Sequence, residues 1–104
     1  MEDTGKFVTV AKKGDIGAGS GVTVDVEGRA IAVFNVGGKF YAIDNTCVHR
    51  GGPLGEGALE GTEVTCPWHG WTYDVTSGQC TLNPQARVAS YKVKEEGEDI
   101  LVSV

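Results

Sequence analysis

Two short segments, Cys47-Val48-His49 and Cys66-Pro67-Trp68-His69, take up both histidines and two of the three cysteines of this 104-residue chain. Random scatter would rarely spend the whole histidine supply at matching positions behind two cysteines. The pattern reads as a four-ligand metal site, so the fold must bring two separate segments together around one centre. Residues 50–65 lie between them and contain Gly51-Gly52-Pro53, Gly55, Gly57 and Gly61, which break any regular element there and place the ligands on loops.

Around those loops the chain reads as strands. From Phe7 to Ala11 and from Val22 to Val26, β-branched and polar residues alternate with the period of half-buried strands. Glu27-Gly28 turns into Ala30 to Val36, and Gly37-Gly38 gives the two-residue spacing of a tight hairpin into Phe40 to Ile43, so a three-stranded meander is expected. Val64-Thr65 and Thr72 to Asp74 flank the second ligand segment as short strands, which makes that segment a hairpin tip. Arg87 to Val93 and Ile100 to Val104 complete the set, joined by the acidic turn Glu95-Glu96-Gly97-Glu98-Asp99. No stretch of convincing length has helical period. Short, evenly spaced strands with glycine turns predict an all-β sandwich or small barrel.

Length and charge narrow the function. A chain of this size forms one domain with a single modest core, here residues 1–104. Fourteen acidic against nine basic side chains leave a net charge of -5, which argues against nucleic acid or an anionic membrane surface as partner and favours a basic one. The N-terminus lacks the regions of a signal peptide, and no apolar run approaches the ~20 residues of a membrane span. A cytoplasmic protein is expected. Three cysteines cannot all pair within one chain, so a disulfide framework is not expected.

Thiolate and imidazole donors suit zinc, iron or copper and exclude calcium, which wants oxygen ligands. Two cysteines and two histidines can close a tetrahedral zinc site, but common zinc modules group them as Cys-Cys and His-His pairs. Here each loop supplies one of each. Mixed pairs fit two irons that share bridging sulfides, because each loop can then reach one iron with its thiolate and the other with its imidazole. That arrangement is a [2Fe-2S] cluster. A non-redox Cys2His2 zinc interaction module is the alternative of another class, and it predicts a colourless protein.

The residues carry a resemblance as well. Cys47-Val48-His49-Arg50-Gly51-Gly52-Pro53-Leu54, followed by Cys66-Pro67-Trp68-His69-Gly70-Trp71-Thr72-Tyr73-Asp74, resembles the Rieske iron-sulfur proteins, and the likeness extends from about Gly28 to Gly78 and Pro84. It implies a small Rieske-type β-sandwich with the cluster-binding loops at one tip. By this resemblance Cys47 and Cys66 bind the inner iron, His49 and His69 bind the outer iron near the surface, and Leu82-Asn83-Pro84 matches a proline loop over the cluster. A dipositive core held by four thiolates is a dianion, whereas two neutral imidazoles in their place leave it neutral and easier to reduce. Rieske centres accordingly lie at roughly -150 to +300 mV, against about -400 mV for plant-type ferredoxins. Reduction should also raise the affinity of the imidazoles for protons, giving a pH-dependent potential at alkaline pH.

Departures from high-potential relatives sharpen the expectation. Gly52 and Trp68 stand where the respiratory proteins carry a disulfide pair, and Trp71 replaces a serine that donates to a bridging sulfide there, although Tyr73 keeps the tyrosine position. One donor fewer predicts a potential low in the Rieske range. The resemblance therefore implies a soluble ferredoxin that passes single electrons from a flavin-dependent ferredoxin reductase to a terminal oxygenase of the aromatic-ring dioxygenase type. It is not itself an enzyme. The small Rieske subunit of an assimilatory nitrite reductase is the other reading within the family. An oxygenase catalytic subunit is excluded, because mononuclear iron needs further histidines and the chain has none to spare.

Neighbouring residues receive their own readings. Trp68 and Trp71 should shield the cluster from water, with a docking surface beside His49 and His69 as the other reading, and Tyr73 either packs in the core or donates its hydroxyl to the Cys66 sulfur. Arg50 is a surface arginine available to an acidic group. At Gly51, Gly52 and Gly70, missing side chains let backbone N–H groups approach the sulfides and permit positive φ. Cys80 lies outside the motif and reads as a buried hydrophobe.

Overall fold

The structure, a computed structural model, describes residues 7–47, 52–68 and 70–103. Among the described residues, ten strands form three antiparallel sheets: β1 (Phe7–Lys12), β10 (Asp99–Ser103) and β9 (Val93–Glu96) in one; β2 (Ser20–Val26), β3 (Arg29–Val36), β4 (Lys39–Asp44) and β8 (Ser90–Tyr91) in the second; β5 (Ala58–Glu60), β6 (Glu63–Thr65) and β7 (Thr72–Asp74) in the third. Short 3-10 turns at Lys13–Asp15 and Leu54–Glu56 are the helical pieces among the described residues. No helix of the described residues is long and apolar enough to cross a membrane. The all-β expectation holds.

The central strand explains how the sheets stack. In β3, Ile31, Ala32, Val33 and Phe34 are all fully buried, a continuous apolar run of the kind found where both faces of a strand are covered. Because side chains alternate across a strand, Ile31 and Val33 enter one core with Ile16, Val26, Phe40, Ala42, Ile100 and Val102. Ala32 and Phe34 enter a second core with Ile43, Leu54, Val64, Tyr73 and all three cysteines. The middle sheet is thus a wall between a structural core and the core that holds the ligand segments.

The predicted meander of β2, β3 and β4 forms in continuous register, from Ser20 opposite Asn35 to Val36 opposite Lys39. Its second turn needs two residues with positive φ, and Gly37 (60°) and Gly38 (97°) supply them. Asn35 then fastens the turn: its Oδ1 accepts from the Gly38 N–H at 2.8 Å, and its Nδ2 donates to the Ile16 carbonyl at 2.8 Å.

Two expectations need correction. The glycine-rich stretch between the ligand segments is not free of regular structure, because Ala58–Glu60 pairs with β6 in the register Ala58–Thr65, Leu59–Val64 and Glu60–Glu63. Leu59 packs on the second core and so gives the short strand an anchor that no local pattern reveals. Nor is 87–93 one strand. Ser90–Tyr91 pairs with β4, and the chain then changes sheets at Lys92 so that Val93–Glu96 pairs with β10. Val104 lies outside the described residues.

The acidic turn is solvated, as expected, and its neighbourhood is charge-paired: Lys12 with Asp99 at 3.0 Å, Lys13 with Glu95 at 3.1 Å, Lys94 with Glu96 at 3.0 Å. Exposed pairs of this type contribute about 0–1 kcal/mol each.

Candidate metal centre

The same backbone bond closes the chain around each ligand segment. In the first, the Cys47 N–H donates to the Gly52 carbonyl at 3.0 Å; in the second, the Cys66 N–H donates to the Trp71 carbonyl at 2.6 Å. Each bond spans five positions of the chain. The outer frame of the first tip is a bridge between Thr46 and Pro53, and that of the second is the β6–β7 ladder ending at Thr65 opposite Thr72. The hairpin expected for the second segment is present.

Asn45 fixes the first tip to the wall behind it. Its N–H donates to the Ala30 carbonyl at 3.1 Å, and its carbonyl accepts from the Leu54 N–H at 2.7 Å. Its buried Oδ1 accepts from the Gly55 N–H at 2.7 Å and the Thr23 hydroxyl at 3.0 Å. The partners are up to 22 positions away, so nothing in the local sequence singles Asn45 out.

The two tips bring Cys47 and Cys66 together, each 1% exposed and neither in a disulfide. Each sulfur has a hydrogen-bonding neighbour from its own or the other hairpin. The Tyr73 hydroxyl lies 3.3 Å from Cys47 Sγ, and the Trp68 N–H points at Cys66 Sγ from 3.4 Å. Tyr73 therefore serves the other sulfur from the one expected at sequence level: it is fully buried on β7, where its ring reaches across the second core to the first tip. Burial pushes the Cys66 thiol up, the Trp68 N–H opposes this, and the neighbouring Cys47 adds to the rise. A thiol pair so placed gives up its protons when a cation compensates the charge.

Gly52 is buried, and any Cβ there would lie 2.6 Å from Cys66 Sγ and 3.0 Å from Trp68 Cγ. Its role is close approach between the tips. Gly70 has the opposite character, with open space around a Cβ but a φ of 76° that side chains rarely adopt. Trp71 packs on the second core as expected. Trp68 is 50% exposed, with its Cβ and Cγ 3.1 and 3.0 Å from where a Cβ at Gly52 would stand. Pro84 is exposed, in a loop whose Leu82 is 64% exposed. Cys80 is buried in the second core, as its reading required. His49, Arg50, Gly51 and His69 lie outside the described residues.

What the described half offers fits an iron-sulfur group: two buried, unbridged thiols from separate loops, one with the Trp68 N–H aimed at its sulfur and the other in hydrogen-bond contact with the Tyr73 hydroxyl, and a glycine that keeps the space beside Cys66 clear. Residues 6–92 match the Rieske [2Fe-2S] domain. The chain belongs to the Rieske [2Fe-2S] family, and its cofactor is a [2Fe-2S] cluster. Among its relatives, the ferredoxin component of the naphthalene 1,2-dioxygenase system of Pseudomonas aeruginosa is 33% identical over 102 residues, covering 97% of this chain and 98% of the relative. The ferredoxin of carbazole 1,9a-dioxygenase from Nocardioides aromaticivorans IC177 superposes with a TM-score of 0.87 at 33% identity, over 93% of this chain and 96% of that one. A ferredoxin chain from the complex of reduced oxygenase and oxidized ferredoxin in carbazole 1,9a-dioxygenase gives 0.86 at 29% identity, over 93% and 92%.

Proposed function

We propose that this protein is a one-electron carrier that accepts electrons from a flavin-dependent ferredoxin reductase and delivers them to a terminal oxygenase of the aromatic-ring dioxygenase type. It turns over no substrate of its own. The observation that carries the reading is the paired, buried cysteine site in a chain similar from end to end to dioxygenase ferredoxin components. The carbazole complex, in which a ferredoxin of this fold sits with its oxygenase, supports the downstream partner. The upstream reductase follows from the need to reload a carrier after each transfer.

In this reading Cys47 and Cys66 hold one iron and His49 and His69 the other, within one domain spanning residues 1–104. A bound [2Fe-2S] cluster supplies a reversible one-electron couple. The chain does the rest. Tyr73 and the Trp68 backbone hold donors against the two cysteine sulfurs, so negative charge placed there meets a dipole already oriented toward it. Gly52 keeps the two tips in contact, and the second core keeps water from the sulfurs. Arg50, Gly51, Gly70, Trp71 and Pro84 complete the surroundings of the site. The similarity to ferredoxin components of dioxygenase systems supports a cytoplasmic location.

Low-temperature EPR and the visible spectrum of the dithionite-reduced protein test this directly. A Rieske-type signal, lost on Cys66→Ala or His69→Ala, is the expected result. Stoichiometric zinc without acid-labile sulfide would sink it, and co-purification with a nitrite reductase rather than an oxygenase would redirect it.

A further inference from the structure

Residues 80–86 leave the edge of β7 and fold back against residues 78–80. The Thr81 N–H donates to the Thr72 carbonyl at 2.8 Å, and the Cys80 N–H closes the loop on the Ala86 carbonyl at 3.1 Å. Asn83 makes the turn, its Oδ1 accepting from the Gln85 N–H at 2.9 Å and its carbonyl from the Ala86 N–H at 3.0 Å. Pro84 has no N–H to contribute, so the loop is short of internal donors. One side chain supplies them. Nε2 of Gln79 lies 3.2 Å from the Cys80 carbonyl, 3.3 Å from that of Pro84 and 2.9 Å from that of Ala86. The amide orientation is fixed by these partners, because the reverse one would set Oε1 against three carbonyl oxygens.

The position of the latch matters because of what lies beneath it. Cys80 belongs to the core that buries Cys47, Cys66 and Tyr73, and the partly buried Ala86 packs against that core. Tyr73, whose hydroxyl meets Cys47 Sγ, faces Cys80 across a β-bridge. Opening the 80–86 loop would therefore uncover the side of the core on which the cysteine sulfurs depend.

We infer that Gln79 is a positioning residue of the metal centre: its carboxamide latches the 80–86 loop shut over the core that holds the two cysteines, and so governs how fast water and oxidants reach the cluster. The inference rests on Cys47 and Cys66 as cluster ligands, while the latch itself is measurable without that assignment. In the cluster-loaded protein, Gln79→Ala should speed amide hydrogen exchange in the peptide covering 80–88 by about tenfold for each net hydrogen bond lost, and leave β2 and β3 unchanged. The half-life of visible cluster absorbance in air with a chelator should shorten in step.

Gln79→Glu makes the test specific. As an anion the side chain cannot donate, whereas its protonated form can, so its exchange and bleaching rates relative to the parent chain should be raised at pH 8 and fall back toward the parent as pH drops through the ordinary Glu range, near pH ~4. This comparison uses one folded preparation and still decides if Gln79→Ala fails to load a cluster. Unchanged bleaching in Gln79→Ala, or a pH-independent Gln79→Glu, would overturn the inference. A cluster retained in full by Cys66→Ala would instead overturn the ligand assignment and leave the exchange result standing.

Discussion

The Tyr73 hydroxyl sits 3.3 Å from Cys47 Sγ, although 26 positions separate the two residues and Cys66 is much nearer in the chain. With Cys47 as a metal-bound thiolate, Tyr73 is the donor, and its hydrogen bond strengthens as negative charge on the sulfur grows. Removing the hydroxyl by Tyr73→Phe keeps the ring in the core and withdraws that donor. The reduction potential should fall by about 20–60 mV, since a hydrogen bond contributes roughly 0.5–1.5 kcal/mol and 59 mV corresponds to a tenfold change for one electron. Protein-film voltammetry measures this, and an unchanged or raised potential contradicts the assigned donor.

Alanine at Gly52 and at Gly70 should have different consequences. A Cβ at Gly52 meets Cys66 Sγ at 2.6 Å, which forces the tips apart. Iron and sulfide content of Gly52→Ala should drop steeply. At Gly70 only the backbone angle is strained, at a cost of about 1–2 kcal/mol. Gly70→Ala should therefore load a cluster but melt earlier and carry a shifted potential; iron analysis beside thermal melts separates the two.

Asn45→Ala removes the acceptor shared by the Gly55 N–H and the Thr23 hydroxyl behind the first tip. Leaving the buried Gly55 N–H unmatched costs about 1–3 kcal/mol, and for a domain of this size each kcal/mol corresponds to roughly 4–8 °C in Tm. Calorimetry of the loaded protein should show a loss in that range.

Tyr91 gives the fold an alkaline limit. Burial holds its hydroxyl above the usual tyrosine value, the hydrogen bond it donates to Asp44 at 2.5 Å adds to this, and Arg29 opposes it. A group whose folded pKa is raised contributes stability below its unfolded value, near pH ~10, and loses it as pH climbs through the folded value. Urea midpoints should decline above that pH in the parent chain, and less steeply in Tyr91→Phe.

The sequence by itself determined the chemistry and the local frame. Two Cys-His segments prescribe soft ligands from two loops, Gly37-Gly38 prescribes a hairpin, and Thr65 and Thr72 flank a tip, because each of these depends on residue type and near neighbours alone. Tertiary structure decided the rest. That Tyr73 serves Cys47, that Gly52 must be bare beside Cys66, that Ala58–Glu60 forms a strand and that Gln79 ties down the Pro84 loop all depend on groups brought together only when β3 is covered on both faces. Such contacts are set by the packing of side chains across sheets, and no spacing along the chain encodes which atom will stand opposite which.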